Sequence, residues 1–206
     1  AVTARMINQG QSCIAAKRFI VVSSVIKQFE SGLKTAFETL RIGDPMEIET
    51  QVGPMARPDL VDEIEKQVND SISAGAKLVT GGHRPPRPGY YYEPTILADV
   101  RAGMPVYSEE TFGPVVSLIE AMDEADAIRI ANDSTFGLGG CVWTSDLERG
   151  ENVARKVETG AMFVNGMTKS DPRLPFGGIK RSGYGRELGV FGIREFVNVK
   201  TVWVGE

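Results

Sequence analysis

A cysteine stands at position 13, in the run Asn8-Gln9-Gly10-Gln11-Ser12-Cys13. A thiolate attacks electrophilic carbonyls, and a thiol at a helix start gains thiolate character from nearby N–H groups and the helix dipole. From this context Cys13 reads either as a nucleophile or as a small buried apolar side chain. Glu109 and Glu110 are adjacent carboxylates, which taken alone read as a solvated charged pair. The segment Gly177 to Gly185 is glycine-rich and holds Lys180 and Ser182. Its spacing is not that of a phosphate-binding loop, and no strand-loop-helix frame surrounds it. His83, the single histidine, would have to serve Cys13 as base in a cysteine hydrolase. It lies instead in the proline-rich loop His83 to Gly89, which predicts an exposed side chain. Cys141 falls in an apolar run and is expected to be buried and inert.

The elements that must position these groups alternate between helix and strand. Ala1 to Ile7 predicts a short helix ended by Gly10, and Ile14 to Lys17 can open another short element after Cys13. Phe19 to Val22 predicts a strand. Val25, Phe29, Leu33 and Phe37 recur every four residues and predict a helix over 25–40. Leu60, Ile64, Val68 and Ile72 form a second stripe, ending near Gly75. Strands are expected at 77–80, at 92–97 around Pro94, and at 115–120. Asp123 and Asp146 are expected to cap helices running to about Asn132 and Val157. Further strands are expected at 140–144 and 161–165. A long Gly/Pro-rich loop follows, then a helix over 187–194 and a final strand over 196–204. Strands alternating with helices specify an α/β fold with a mostly parallel sheet flanked by helices.

Hydrophobic residues make up 42% of the 206 and charged residues 24%, the balance of a globular protein able to build a sizeable core. The net charge of -4, with no block of like charges, argues against nucleic acid as a partner. No apolar run approaches the roughly 20 residues that span a bilayer, so no membrane partner is expected. Two cysteines are too few for a disulfide framework and point to a reducing, cytoplasmic setting.

Four ordered segments resemble the motifs of the aldehyde dehydrogenase superfamily. Asn8 to Cys13 resembles its active-site cysteine motif. Glu109-Glu110-Thr111-Phe112-Gly113-Pro114 resembles its Glu-Glu-x-Phe-Gly-Pro segment, and Asn132 to Leu138 its Asn-x-x-x-(Tyr/Phe)-Gly-Leu segment. Pro175 to Glu187 resembles its Pro-Phe-Gly-Gly-x-Lys-x-Ser-Gly-x-Gly-Arg-Glu segment. Ala15-Ala16-Lys17-Arg18-Phe19 and Lys169-Ser170-Asp171-Pro172-Arg173 are similar to the succinate-semialdehyde dehydrogenase branch. The resemblance implies a catalytic domain over residues 1–186, and a C-terminal helix and oligomerisation strand over 187–206. Through that strand it implies a homo-dimer or homo-tetramer.

The resemblance also implies roles. Cys13 would be the nucleophile, its own backbone N–H facing the developing oxyanion. Glu110 would accept hydrogen bonds from the nicotinamide ribose hydroxyls, and Phe112 and Leu138 would border the nicotinamide of NAD or NADP. Ser170 would help hold a distal carboxylate, and Phe176 would wall the aldehyde pocket. Asn165 would hold a loop near the active site. No metal is expected. Some members of the branch carry an arginine six residues before the nucleophile, where this chain has Ile7. Family members are much longer, and their general-base glutamate, oxyanion asparagine and adenine-binding surfaces precede this cysteine. The chain therefore reads as the C-terminal portion of such an enzyme, with the N-terminal cofactor-binding domain absent and little activity of its own. The expected reaction oxidises an aldehyde, above all succinate semialdehyde. The alternatives are another short-chain aldehyde or an inactive oligomerisation fragment.

Overall fold

The apolar, β-branched run Val115 to Ala121 forms the central strand of the main sheet in the computed structural model, which describes residues 1–206. Six of its seven residues are buried, as befits a strand covered on both faces. The chain divides into two compact units, Ala1–Ser134 and Thr135–Glu206.

In chain order the first unit comprises α1 (Val2–Met6), a 3-10 turn (Ile7–Gly10), β1 (Arg18–Val22), α2 (Ile26–Glu38) and α3 (Pro58–Ser73). It continues with β2 (Lys77–Thr80), β3 (Thr95–Ala98), α4 (Pro105–Ser108), β4 (Val115–Ala121) and α5 (Glu124–Asn132). The sheet order is β1-β4-β3-β2. The strands β1 and β3 run parallel to β4, with Arg18 opposite Ser117 and Thr95 opposite Val115, and β2 is antiparallel to β3.

Side chains alternate across this sheet with the period of two that a strand imposes. Leu97, Val115 and Ile119 face one way and pack with Val61, Ile64 and Val68 of α3 and Ile130 of α5. Ile96 and Val116 face the other way, against Leu33 and Phe37 of α2 and the partly buried Val2 and Met6 of α1. Full burial of one such aliphatic side chain contributes about 1.5–3 kcal/mol. Both predicted helix stripes therefore meet the sheet, although Val25, the first residue of the earlier stripe, precedes α2 and is 46% exposed.

The second unit contains β5 (Phe136–Gly137), β6 (Gly139–Val142), α6 (Leu147–Lys156), β7 (Ala161–Val164), β8 (Ile179–Lys180) and α7 (Gly189–Arg194). The strands β6 and β7 pair in parallel across α6, and β5 pairs with β8 antiparallel. Both aspartate caps form as expected: Asp123 accepts from the Asp126 N–H and Asp146 from the Arg149 N–H.

Two expectations need correction, on Cys13 and Cys141. No helix follows Cys13, because Ser12–Ala15 closes as a tight turn (Ala15 N–H to Ser12 O, 3.0 Å) and β1 begins soon after. Helix-dipole activation of this thiol therefore does not apply. Within the single chain residues 195–206 pair with no strand, and Trp203 is 87% exposed; the strand expected there is one that pairs with a second copy. A strand needs a neighbour for its N–H and C=O groups, and no strand of this chain pairs with that segment. Cys141 is only half-buried, because β6 lies in a two-stranded sheet and all four of its residues stay partly accessible.

Candidate active site

The backbone before Cys13 is unusual. Asn8 and Gln9 both sit in the left-handed region (φ 47° and 53°), followed by Gly10 at φ 78°. Such conformations cost non-glycine residues of order 1–3 kcal/mol each and persist only where the surroundings hold them. Here the Gln11 N–H donates to Asn8 O (2.9 Å), and Asn8 Nδ2 donates back to Gln11 O (3.0 Å). Gln11 Oε1 accepts from the Ala56 N–H (2.9 Å), and the buried Arg5 guanidinium donates to Gly10 O. The Ala16 N–H, donating to Ala4 O (2.8 Å), returns the chain to α1. Cys13 lies at the exposed tip of this loop.

Gly10 presses on a second segment. A Cβ there would lie within 2.5 Å of the Gly113 carbonyl carbon. The Asn8–Cys13 motif and the Glu109–Pro114 motif thus meet backbone to backbone. Gly113 is in turn covered by Ile64 of α3 and Met55, whose side chains leave no room for a Cβ on that residue.

The carboxylates at 109 and 110 differ in their partners. The one-turn helix α4, which leads into them, is pinned at both backbone groups of Val106. Its N–H donates to Ser71 Oγ (3.2 Å), and its carbonyl accepts from Ser117 Oγ (2.8 Å). Gln67 Nε2 donates to the Glu109 carboxylate (3.0 Å) and to the Glu110 carbonyl (3.1 Å), while Lys17 Nζ donates to the Glu109 carbonyl. Glu109 is engaged. Glu110 keeps an exposed carboxylate on a fixed backbone, and two acceptor oxygens in that setting suit a vicinal pair of ribose hydroxyls. Phe112, two residues on, is half-buried.

Burial also lowers the nearby cations. Desolvation pulls Lys17 down to about 8 and Arg5 to about 10, partly offset in each case by the charge of Glu110. Arg18 is lowered by desolvation too. Its guanidinium stacks over Tyr107 at 4.6 Å and donates to Ile130 O at the end of α5.

The remaining expected site residues belong to the second unit. Leu138 is half-buried between β5 and β6. Asn165 (φ 52°) ties the end of β7 to that of β6, accepting from the Thr144 N–H (2.9 Å) and donating to Thr144 O (2.8 Å). Ser170 is exposed in the loop that follows. Next to it, bidentate hydrogen bonds from Arg173 hold the Asp171 carboxyl well below the usual carboxylate range. Phe176 is half-buried and exchanges backbone hydrogen bonds with Glu187 (2.7 and 2.8 Å). The glycine-rich segment is closed on itself: Lys180 pairs with Glu158 (2.9 Å), and Ser182 Oγ accepts from the Gly137 N–H (3.0 Å). Its polar groups are thus committed within the unit. His83 is exposed, its Nδ1 3.1 Å from Gly81 O.

Sequence reasoning missed Arg5, Lys17, Gln67, Ser71 and Ser117. A cation inside the short, mostly apolar helix Val2–Met6 was the one legible signal.

The aldehyde dehydrogenase family model matches residues 1–202. The probable NADP(+) succinate-semialdehyde dehydrogenase of Synechocystis is 53% identical over 204 residues, covering 99% of this chain and 45% of that protein. An NADP(+) succinate-semialdehyde dehydrogenase of Mycobacterium ulcerans is 51% identical, covering 100% and 45%. The crystal structure of succinic semialdehyde dehydrogenase from Streptococcus pyogenes in complex with NADP+ superposes with a TM-score of 0.94 at 40% identity, covering 98% of this chain and 45% of that one. The chain thus spans about half the length of the curated relatives it matches. No helix is long and apolar enough to cross a membrane. By its motifs, its fold and the match across 1–202, the chain belongs to the aldehyde dehydrogenase family.

Proposed function

We propose that this chain supplies the nucleophile, part of the nicotinamide site and the substrate loop of an NAD(P)-dependent succinate-semialdehyde dehydrogenase. The observation that carries the reading is the exposed Cys13 thiol at the tip of a strained turn, braced against the segment that presents Glu110. The Cys13 thiolate attacks the aldehyde carbonyl carbon and forms a thiohemiacetal. Its own N–H, which no acceptor in the chain occupies, faces the oxyanion. A nicotinamide held beside Glu110, Phe112 and Leu138 would supply the two-electron oxidising power that turns the thiohemiacetal into a thioester. Water then cleaves the Cys13 thioester and releases the acid. Glu110 would accept hydrogen bonds from the ribose hydroxyls, and Phe112 and Leu138 would border the ring. The Ser170 hydroxyl donates to the distal carboxylate of the substrate, on a loop stiffened by the Asp171–Arg173 pair. Phe176 walls the aldehyde end.

The names of the similar proteins favour succinate semialdehyde and NADP(+). The two free cysteines fit a reducing cytoplasm. The exposed apolar residues Phe196, Val199 and Trp203 support pairing with a second copy in a homo-dimer or homo-tetramer.

The test is nicotinamide reduction by the full-length gene product with succinate semialdehyde, NAD and NADP run in parallel. Cys13→Ala is expected to abolish turnover. Undiminished turnover in that variant overturns the mechanism. A wild-type enzyme that oxidises only other aldehydes removes the role of Ser170.

A further inference from the structure

Arg5 is 1% exposed, on a helix of five residues, and its side chain makes one hydrogen bond, to Gly10 O. Its Nε and Nη1 are buried without a partner. A guanidinium is costly to desolvate, so a buried one with a single bond needs an explanation beyond packing. The carbonyl it holds lies at the end of the turn Asn8–Gly10, where three successive residues have positive φ. That carbonyl belongs to the glycine that touches Gly113, three residues past Glu110. Removing the Arg5 bond leaves the turn with only the hydrogen bonds at Asn8 and Gln11, both at the exposed rim of the loop.

We propose that Arg5 is the positioning residue of the nucleophile loop: it locks the left-handed turn Asn8–Gly10 against Gly113, and so sets Cys13 in register with the Glu110 segment. This rests on the catalytic reading above. It predicts a loss in the chemical step more than in substrate binding, because misplacing a reacting group by about 1 Å costs on the order of a hundredfold in rate.

The experiment compares Arg5→Met and Arg5→Lys in the full-length gene product by amide hydrogen exchange and by steady-state kinetics. In Arg5→Met, exchange over residues 9–13 is expected to rise about tenfold or more while that of β4 stays unchanged. The same variant should lose about ten- to a hundredfold in kcat, with aldehyde KM within about threefold. Arg5→Lys keeps a donor that reaches Gly10 O and should recover most of both losses. Unchanged exchange at 9–13 overturns the proposal, as does a lowered melting temperature with kcat per folded molecule intact. Should Arg5→Met not fold, Arg5→Gln, shorter and uncharged, takes its place. Raised exchange confined to 9–13 supports the lock, and a uniform rise across the sheet overturns it. A wild-type enzyme without aldehyde oxidation defeats the catalytic reading, while the exchange result still reports on the lock.

Discussion

Replacing Gly10 by alanine tests the contact that joins the two motifs of the site. Two costs add. Alanine at φ 78° leaves the conformation that glycine adopts freely, at roughly 1 kcal/mol. Its Cβ would also lie 2.5 Å from the Gly113 carbonyl carbon, where ordinary van der Waals contact begins near 3.4 Å. The two segments must therefore part by about 1 Å, and overpacking of that kind costs typically about 1–3 kcal/mol. The total is about 2–4 kcal/mol, a large share of the ~5–15 kcal/mol that holds a domain together. Gly103 is the control: its φ is 93°, yet nothing lies within 4 Å of the Cβ position. Gly103→Ala should lose only the conformational part, about 1 kcal/mol. Urea melts of the two variants, followed by far-ultraviolet circular dichroism, measure the difference. Equal losses for Gly10→Ala and Gly103→Ala would refute the close approach of the loop to Gly113 and, with it, the account of how Cys13 is held.

Two further outcomes concern charge and capping. Lys17 holds its proton less tightly folded (about 8) than unfolded (10.5), so the unfolded chain binds more protons between those values and stability rises with pH across that window. Relative to Lys17→Met, the wild type should gain about 1 kcal/mol between pH 8 and 10.5 once solvent screening is allowed for. A constant gap between the two in denaturant melts would contradict the burial of this ammonium. Asp123→Ala removes the acceptor of the Asp126 N–H and should cost about 1 kcal/mol in the same assay, whereas Asp123→Asn should cost a few tenths.

The sequence made some features readable for clear physical reasons. Ile64 and Val68 recur at helical spacing because one face of α3 is covered by the sheet, and that periodicity is local. Asp123 and Asp146 cap helices through bonds that span three residues, so their signal is local too. The helix α4 was not legible: four residues fall below any periodic window, and it depends on Ser71 and Ser117, 35 and 11 residues from Val106. The segment 196–204 shows the opposite dependence. Its alternation is genuine, but a strand is a property of two segments, and no second one pairs with it here. Cys13 and Glu110 were visible through their motifs. Arg5 and Lys17 brace them through backbone carbonyls: Arg5 falls in no motif, and Lys17 falls in a motif that says nothing of the carbonyl it holds.

The pinning of Val106 has a consequence for motion. A free four-residue helix cannot repay its nucleation and would fray within nanoseconds. Bonded to α3 and β4 through Ser71 and Ser117, α4 can open only when those elements part, so its backbone takes on the slow exchange of the core. The Glu110 peptide, tethered one turn further by Gln67, shares that stillness. What remains to the carboxylate is rotamer hopping on the picosecond-to-nanosecond scale. A ligand that engages it therefore orders one side chain and no loop, and loses only the small entropy of that side chain.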